Sequence, residues 1–271
     1  MSAVPIQIAA NVSLGDSTAP RAAASPWDEA VAALAEEPAI LRSAWKATRR
    51  FVNAPIDLLL NQAYAVVNTG TGALVVDEED EVFGHDSIDV SPGAASTIDA
   101  PNNGVIMPAS YSLGFIFVPT VEGTAFNVLG LGPTPYGLRV RLTATNVVMT
   151  PQLAVGETTM FSRATQINES GPNVMIVCID AASRQMAMYL NSLTPFATAT
   201  GIPPNPFPSA FNVTANVASF GGGGATNVDG GDVRMAAGFV ASESLYATAP
   251  GRVRARALVQ AAADAYGINL L

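Results

Sequence analysis

The sequence predicts a mainly β protein, an antiparallel sandwich with a short N-terminal helical segment and a C-terminal helix. Three observations carry that expectation. Roughly ten short runs rich in Val, Ile, Thr, Phe and Tyr follow Gly72, split by Gly, Pro and Asn. No helical pattern separates them, which argues against a parallel sheet built with crossover helices. Helix signals appear only toward the two ends of the chain.

The length, 271 residues, suits one large domain and can bury a sizeable core without covalent staples. Hydrophobic residues make up 49% and charged residues 13%, which excludes a mostly disordered chain. No apolar run approaches the length of an ordinary transmembrane helix, so no membrane contact is expected. The single cysteine, Cys178, excludes an intrachain disulfide framework and a cysteine-built zinc site. The single histidine, His85, argues against a His-rich metal site and a His-dependent triad. The formal charge is −9, and every basic residue except Lys46 is Arg. Nucleic-acid affinity comes largely from neutralising phosphates, so nucleic acid is not an expected partner. Arg49 with Arg50, and Arg252 with Arg254 and Arg256, form local basic spots that solvated helix faces explain. The start of the chain lacks a basic stretch before its weakly apolar run, so no secretory signal is expected.

The elements follow in order. Residues 1–24 read as an extended arm. In S-P-W-D-E-A-V-A-A-L, Ser25 is placed to cap a helix, Pro26 suits its first position, and Asp28 and Glu29 suit its positive end. Pro38 is expected to open a second helix carrying Ile40, Leu41, Trp45 and Phe51 on its apolar face. Residues 1–51 are therefore expected to form an arm and helical anchor, with Trp27, Trp45, Arg49 and Arg50 docking onto a partner. Residues 52–99 read as a connecting region and 100–271 as the sandwich. Strand candidates there include Y-S-L-G-F-I-F-V, A-F-N-V-L-G-L, L-R-V-R-L-T-A, V-M-I-V-C-I-D, Q-M-A-M-Y-L-N and V-R-M-A-A-G-F-V-A. The alternation of Leu138, Val140 and Leu142 with Arg139 and Arg141 marks a half-buried strand. The closing Ala-rich stretch returns to helix, with Gly267 as its C-cap.

The order of these segments resembles the laminin-G-like, concanavalin A-like jelly rolls found in phage virion and bacterial surface proteins. V-M-I-V-C-I-D-A-A-S-R-Q-M-A-M-Y-L-N resembles their D-g…lYvNG hairpin. A-N-V-A-S-F-G-G-G-G resembles a strand and glycine turn, and A-R-A-L-V-Q-A-A-A-D-A-Y-G-I resembles their terminal helix. The likeness covers about residues 100–271 and departs at Asn191-Ser192, where the family carries glycine, and at the Pro-rich stretch 202–208. It implies a jelly-roll fold and a virion location, with a bacterial cell surface or secretion without a signal peptide as the alternative. The function it implies is that of a non-enzymatic virion structural protein. Such a tail, fibre, spike or capsid-decoration component would touch other virion proteins through its N-terminus, and host glycans or neighbouring subunits through its sandwich. A homo-oligomer is expected.

Chemistry-bearing clusters are few. The acidic stretch 77–89 holds Glu79, Glu81 and Asp86, candidate carboxylates for a polysaccharide-acting enzyme, the alternative reading. A solvated acidic surface explains it more simply. G-G-G-G-A-T-N-V-D-G-G-D lacks the Lys-Ser/Thr of a phosphate cradle, but Asp229 and Asp232 are candidates for calcium, as a calcium-dependent lectin would need. No other cofactor is expected. Tyr111, Tyr136, Tyr189 and Tyr246 are core or rim residues, of which one or two could stack on a sugar ring. Tyr189, Asn191, Asp229 and Asp232 are the expected ligand contacts.

Overall fold

The structure is a computed structural model. It describes residues 24–36, 40–47, 56–58, 65–68, 76–77, 84–90, 96–99, 110–119, 126–131, 137–142, 146–153, 156–157, 161–164, 167–168, 170–180, 183, 185–200, 218–220 and 233–271. Helix α1 (Pro26–Ala32) runs into a 3-10 turn (Ala33–Ala35). Then come β1 (Leu41–Ala47), β2 (Ile56–Leu58), β3 (Ala65–Asn68), β4 (Val76–Asp77), β5 (Ser87–Val90), β6 (Ser96–Asp99), β7 (Ser110–Pro119) and β8 (Phe126–Leu131). They are followed by β9 (Gly137–Leu142), β10 (Asn146–Leu153), β11 (Gly156–Glu157), β12 (Phe161–Ala164), β13 (Asn173–Asp180), β14 (Gln185–Leu190), β15 (Ala197–Thr200), β16 (Ala218–Phe220) and β17 (Val233–Ala241). Helix α2 (Ala249–Tyr266) closes the chain.

Among the described residues the strands form two antiparallel sheets. The first runs β15-β14-β13-β7-β17-β1-β2, with β5 also on β17 and β4 on β5. The second runs β11-β10-β9-β8-β16-β6-β3, with β12 also on β10. The expected antiparallel sandwich with a helical segment at each end is what the chain forms.

The central strands of the first sheet are buried on both faces. Ile116 and Val118 of β7, Val174, Ile176 and Cys178 of β13, Ala187 and Tyr189 of β14, and Ala237 and Phe239 of β17 share one cluster with α1 and α2. The alternate residues, among them Leu113, Phe115, Phe117, Met175, Val177, Met186 and Met188, are buried as well. Successive strand side chains point to opposite faces, so this second set faces away from the helices into the sandwich interior. Trp27 of α1 lies over Phe239 with ring centroids 5.8 Å apart.

Local signals set the helix ends. The Ser25 hydroxyl accepts from the Asp28 amide at 3.2 Å and the Asp28 carboxylate accepts from the Ser25 amide at 3.0 Å, a reciprocal capping box. The same carboxylate takes the Lys46 ammonium at 2.9 Å and ties α1 to β1. Helix α2 is capped by the Thr248 hydroxyl and ends at Gly267, whose φ of 66° is left-handed as such a cap requires.

Three expectations change. The second helix is not formed over its described part, because Leu41–Ala47 is β1, paired antiparallel with β17 and β2. Trp45 faces Gly238 across that pairing, and a Cβ on Gly238 would stand 2.6 Å from the indole nitrogen. The glycine makes the room that lets the indole lie in the sheet. Trp27 and Trp45 are both wholly buried within this chain, so neither ring is offered to a partner as placed. Arg49 and Arg50 lie outside the described residues. The boundaries at 51 and 99 also separate nothing in the sheets. Strands β2, β4 and β5 join the first sheet, and β3 and β6 the second.

Candidate functional site

The terminal helix packs against α1 and the outer face of β13, in a buried cluster that also takes in Ala187 and Tyr189 of β14. The segment before it is fixed by Ser112 of β7, whose hydroxyl donates to the Glu243 carbonyl at 2.8 Å and accepts from the Leu245 amide at 2.9 Å. That brings Tyr246 to the surface, half-buried, at the start of α2. Arg252 follows, its guanidinium 5.7 Å from the Tyr246 ring centroid and donating to the Tyr246 carbonyl at 2.7 Å. Arg256 stands one turn further along the same helix face and is exposed.

Tyr189 of β14 belongs to the buried cluster that packs against α2. Its side chain is wholly buried, and its hydroxyl makes no hydrogen bond. Burial pushes this phenol up to about 12. The Cys178 thiol and Tyr246 act in the same direction, and the positive charges of Arg256 and Arg252 act against it. Neither arginine forms an ion pair among the described residues. The surface therefore presents a half-buried phenol ring and two guanidinium groups, one of them held against that ring. It can bind through stacking, cation–π contact and charge-assisted hydrogen bonds. Phe196, half-buried, follows β14, its amide donating to the Met188 carbonyl at 2.7 Å.

The neighbouring thiol is inert. Burial pushes Cys178 from its usual 9.0 up to about 12, with the Ser112 hydroxyl and the Tyr246 and Leu245 amides acting the other way. The native protein should resist iodoacetamide at pH 8.5 and become alkylated on unfolding in urea. Because the folded thiol keeps its proton where the unfolded one loses it, stability is whole below about pH 9. It declines as pH rises toward about 12, and Tyr189 acts in the same direction. At pH 10.5 the loss should reach roughly 1–2 kcal/mol, read as a lower urea midpoint. Rapid alkylation of folded protein would contradict the burial of this face.

The structure brings together some of the expected residues. Tyr189 is at the site but buried, so as placed it has no open face for a sugar to stack on. Asn191 is buried as well, with φ 48°. Its Oδ1 accepts from the Val174 amide at 2.9 Å, and its Nδ2 donates to Asn173 Oδ1 at 2.7 Å. It closes the end of the β13–β14 hairpin. Asp229, Asp232, Glu79 and Glu81 lie outside the described residues. Asp86 is half-buried beside His85, whose Nε2 donates to the Ala265 carbonyl at 2.7 Å and so serves the last turn of α2. Among the described residues no three His, Cys, Asp or Glu side chains are placed to hold a metal ion. No helix there is long and apolar enough to cross a membrane. Arg252 and Arg256, read from sequence as a solvated helix face, are the residues that reasoning passed over. Their i, i+4 spacing was the available signal, but only the contact of Arg252 with Tyr246 gives it meaning.

No family model and no curated protein matches the sequence. Solved structures match through the fold. Domain 4 of AbnA, a GH43 extracellular arabinanase from Geobacillus stearothermophilus solved with arabinotriose, is 12% identical with a TM-score of 0.51. The match covers 72% of this chain and 87% of that one. The binding domain of botulinum neurotoxin DC, solved with rat synaptotagmin II, is 9% identical with a TM-score of 0.54 and covers 80% of this chain and 51% of that one. The same toxin domain solved with SialylT is 11% identical with a TM-score of 0.54, over 82% and 50%. The chain spans about half the length of those toxin chains. At these identities the likeness establishes a fold, the two-sheet antiparallel β-sandwich.

Proposed function

We propose that this chain is a non-enzymatic, glycan-contacting sandwich module displayed on a virion, where its jelly roll meets host glycans or neighbouring subunits. The observation that carries the glycan reading is the surface of Tyr246, Arg252 and Arg256 at the start of α2, set on a sandwich fold. An aromatic ring can pack on the apolar face of a sugar, and guanidinium groups can donate hydrogen bonds to its oxygens. The fold neighbours solved with arabinotriose and SialylT support the same reading. A binding module rather than an enzyme is favoured by the chemistry of those groups. A phenol held near 12 and two guanidinium groups offer neither nucleophile nor general acid near neutral pH. The virion placement rests on the order of strand motifs and the terminal helix in the sequence.

The full chain on an array of host and bacterial-surface glycans should bind at least one class. Immunogold labelling of particles from the source should then decorate them. Absence of binding to every glycan would overturn the first part, and unlabelled particles the second.

A further inference from the structure

We propose that the helical layer outside the first sheet is a self-complementary interface, on which a second copy of this chain docks through an antiparallel pair of α2 helices. This takes up the neighbouring-subunit part of the reading above and does not depend on sugar binding.

Hydrogen bonds fix the two ends of that layer. At one end the Leu245 amide donates to the Ser112 hydroxyl and the Ser242 amide to the Ile40 carbonyl, so α2 begins where the 3-10 turn after α1 finishes. At the other end Lys46 holds Asp28 at the start of α1, and the Leu271 amide donates to the Asn191 carbonyl just past α2. The two helices pack against each other and so run in opposite directions.

Charge is sorted between these ends. Arg252, Arg254 and Arg256 stand in the first half of α2, and no acidic residue lies between Glu243 and Asp264. Exposed Arg42, beside the pairing of Leu41 with Ala241, adds to them, so this end stays net positive despite Glu36 and Glu243. The opposite end carries Glu29 and Asp264, both exposed. Among the described residues the one ion pair is that of Lys46 with Asp28, so none of these other charges has an ion-pair partner there.

Val253, Ala257, Gln260 and Asp264 are all exposed and spaced to form one line along α2. Val253, the large apolar residue of that line, is 63% exposed. Gln260 holds the Asp264 carboxylate in the line, Nε2 donating to Oδ1 at 2.9 Å. A two-fold axis through Gln260 lays this line on its counterpart in the second copy. Arg256 then meets Asp264 and Asp264 meets Arg256, so each pair forms twice. The helix dipoles lie antiparallel, which is favourable, and the end of the other α2 covers Val253. A second copy fits better than a separate acidic protein or a nucleic acid. Either of those would bring like charge to Glu29 and Asp264, whereas this surface carries both signs in two-fold order.

Sedimentation velocity of the full chain, without sugar, tests this at about 0.05 and about 0.5 M salt. The chain should dimerise at low salt, and high salt should weaken the dimer about ten-fold. Asp264→Arg and Arg256→Glu should each weaken it about ten-fold or more, because like charges then meet twice across the axis. A double variant with both changes in one chain should recover most of that loss. All three variants alter exposed helix positions and should keep the parent's melting temperature at concentrations where the chain is monomeric. A chain that is monomeric at every concentration and salt overturns the inference. So does a dimer indifferent to salt and to both single variants, or a double variant as weak as the singles. Each of these outcomes leaves the glycan reading standing, since that is read on the array. Arg256 is shared with the glycan surface and Asp264 is not, so an Asp264→Arg chain that loses the dimer and keeps array binding separates the two.

Discussion

Gly114→Val should lower the melting temperature more than any exposed substitution. A Cβ at Gly114 would stand 2.1 Å from Cε1 of Phe239 and 2.6 Å from its Cζ. The ring cannot retreat, because Trp27 covers it from α1 and the backbone pairing of Phe239 with Gly114 fixes its base. The backbones cannot part either, since β7 lies between β13 and β17, and β17 carries β1 on its other edge. The substitution therefore drives Phe239 off its rotamer and off Trp27. Overpacking of this kind costs about 1–3 kcal/mol, and losing an aromatic pair adds about 1. A total near 3 kcal/mol should move the melting temperature by roughly 6–12 °C for a chain of this size. Phe239→Leu in the Gly114→Val background should return part of that loss, because two residues in contact do not add. Circular dichroism melts of the parent and the two variants decide it. A Gly114→Val protein that melts within a degree of the parent would mean that the register of β7 on β17 is wrong.

That contact also shows why some of the fold was legible and some was not. Strands β7, β13, β14 and β17 announce themselves by composition and by the turn residues between them. Their alternation is hidden, because α1 and α2 cover one face of the sheet and the sandwich interior the other. The same double burial misleads at β1. Ile40, Leu41, Ala44, Trp45 and Ala47 are all buried, and their spacing suits a helix as well as a strand. Only the distant partner, Gly238 beneath Trp45, decides between them. Strand β10 carries Pro151, which reads as a strand breaker, yet it pairs with Leu138 of β9. Helix ends need no distant partner, and Ser25, Pro26 and Gly267 were readable in place.

The candidate site was half legible for the same reason. Tyr189 could be nominated as an aromatic in a hairpin, but nothing in its vicinity in the chain shows that it is buried in the cluster against α2. Asn191 could be nominated as a polar residue at a hairpin end. Its hydrogen bonds, made with Val174 and Asn173 on the neighbouring strand, show that it holds the backbone instead.

Asn191→Ala is the second change expected to cost heavily, and Asn191→Gly separates its causes. Asn191 sits at φ 48°, a region where a Cβ costs about 1–2 kcal/mol and which Asn tolerates better than most residues. Its side chain satisfies the buried Val174 amide and anchors Asn173, which accepts from the Asn168 amide at 2.7 Å and donates to the carbonyls of Asn168 and Gly171 at 2.8 and 2.9 Å. Its carbonyl accepts from the Leu271 amide at 2.8 Å and so holds the end of the chain against the hairpin. Alanine keeps the backbone contacts, loses the side-chain ones and strains φ, for a total of about 3 kcal/mol. Glycine loses the same hydrogen bonds without the strain and should be about 1 kcal/mol less damaging. Urea denaturation at constant slope reads both, and equal losses would remove strain from the account. The pair also guards the binding site against misreading. Asn191 lies two residues from Tyr189, so its variants should lose sugar binding and stability together. If the proposed glycan reading holds, Arg256→Ala should lose binding and keep stability, and that contrast separates a surface residue from one that holds the hairpin.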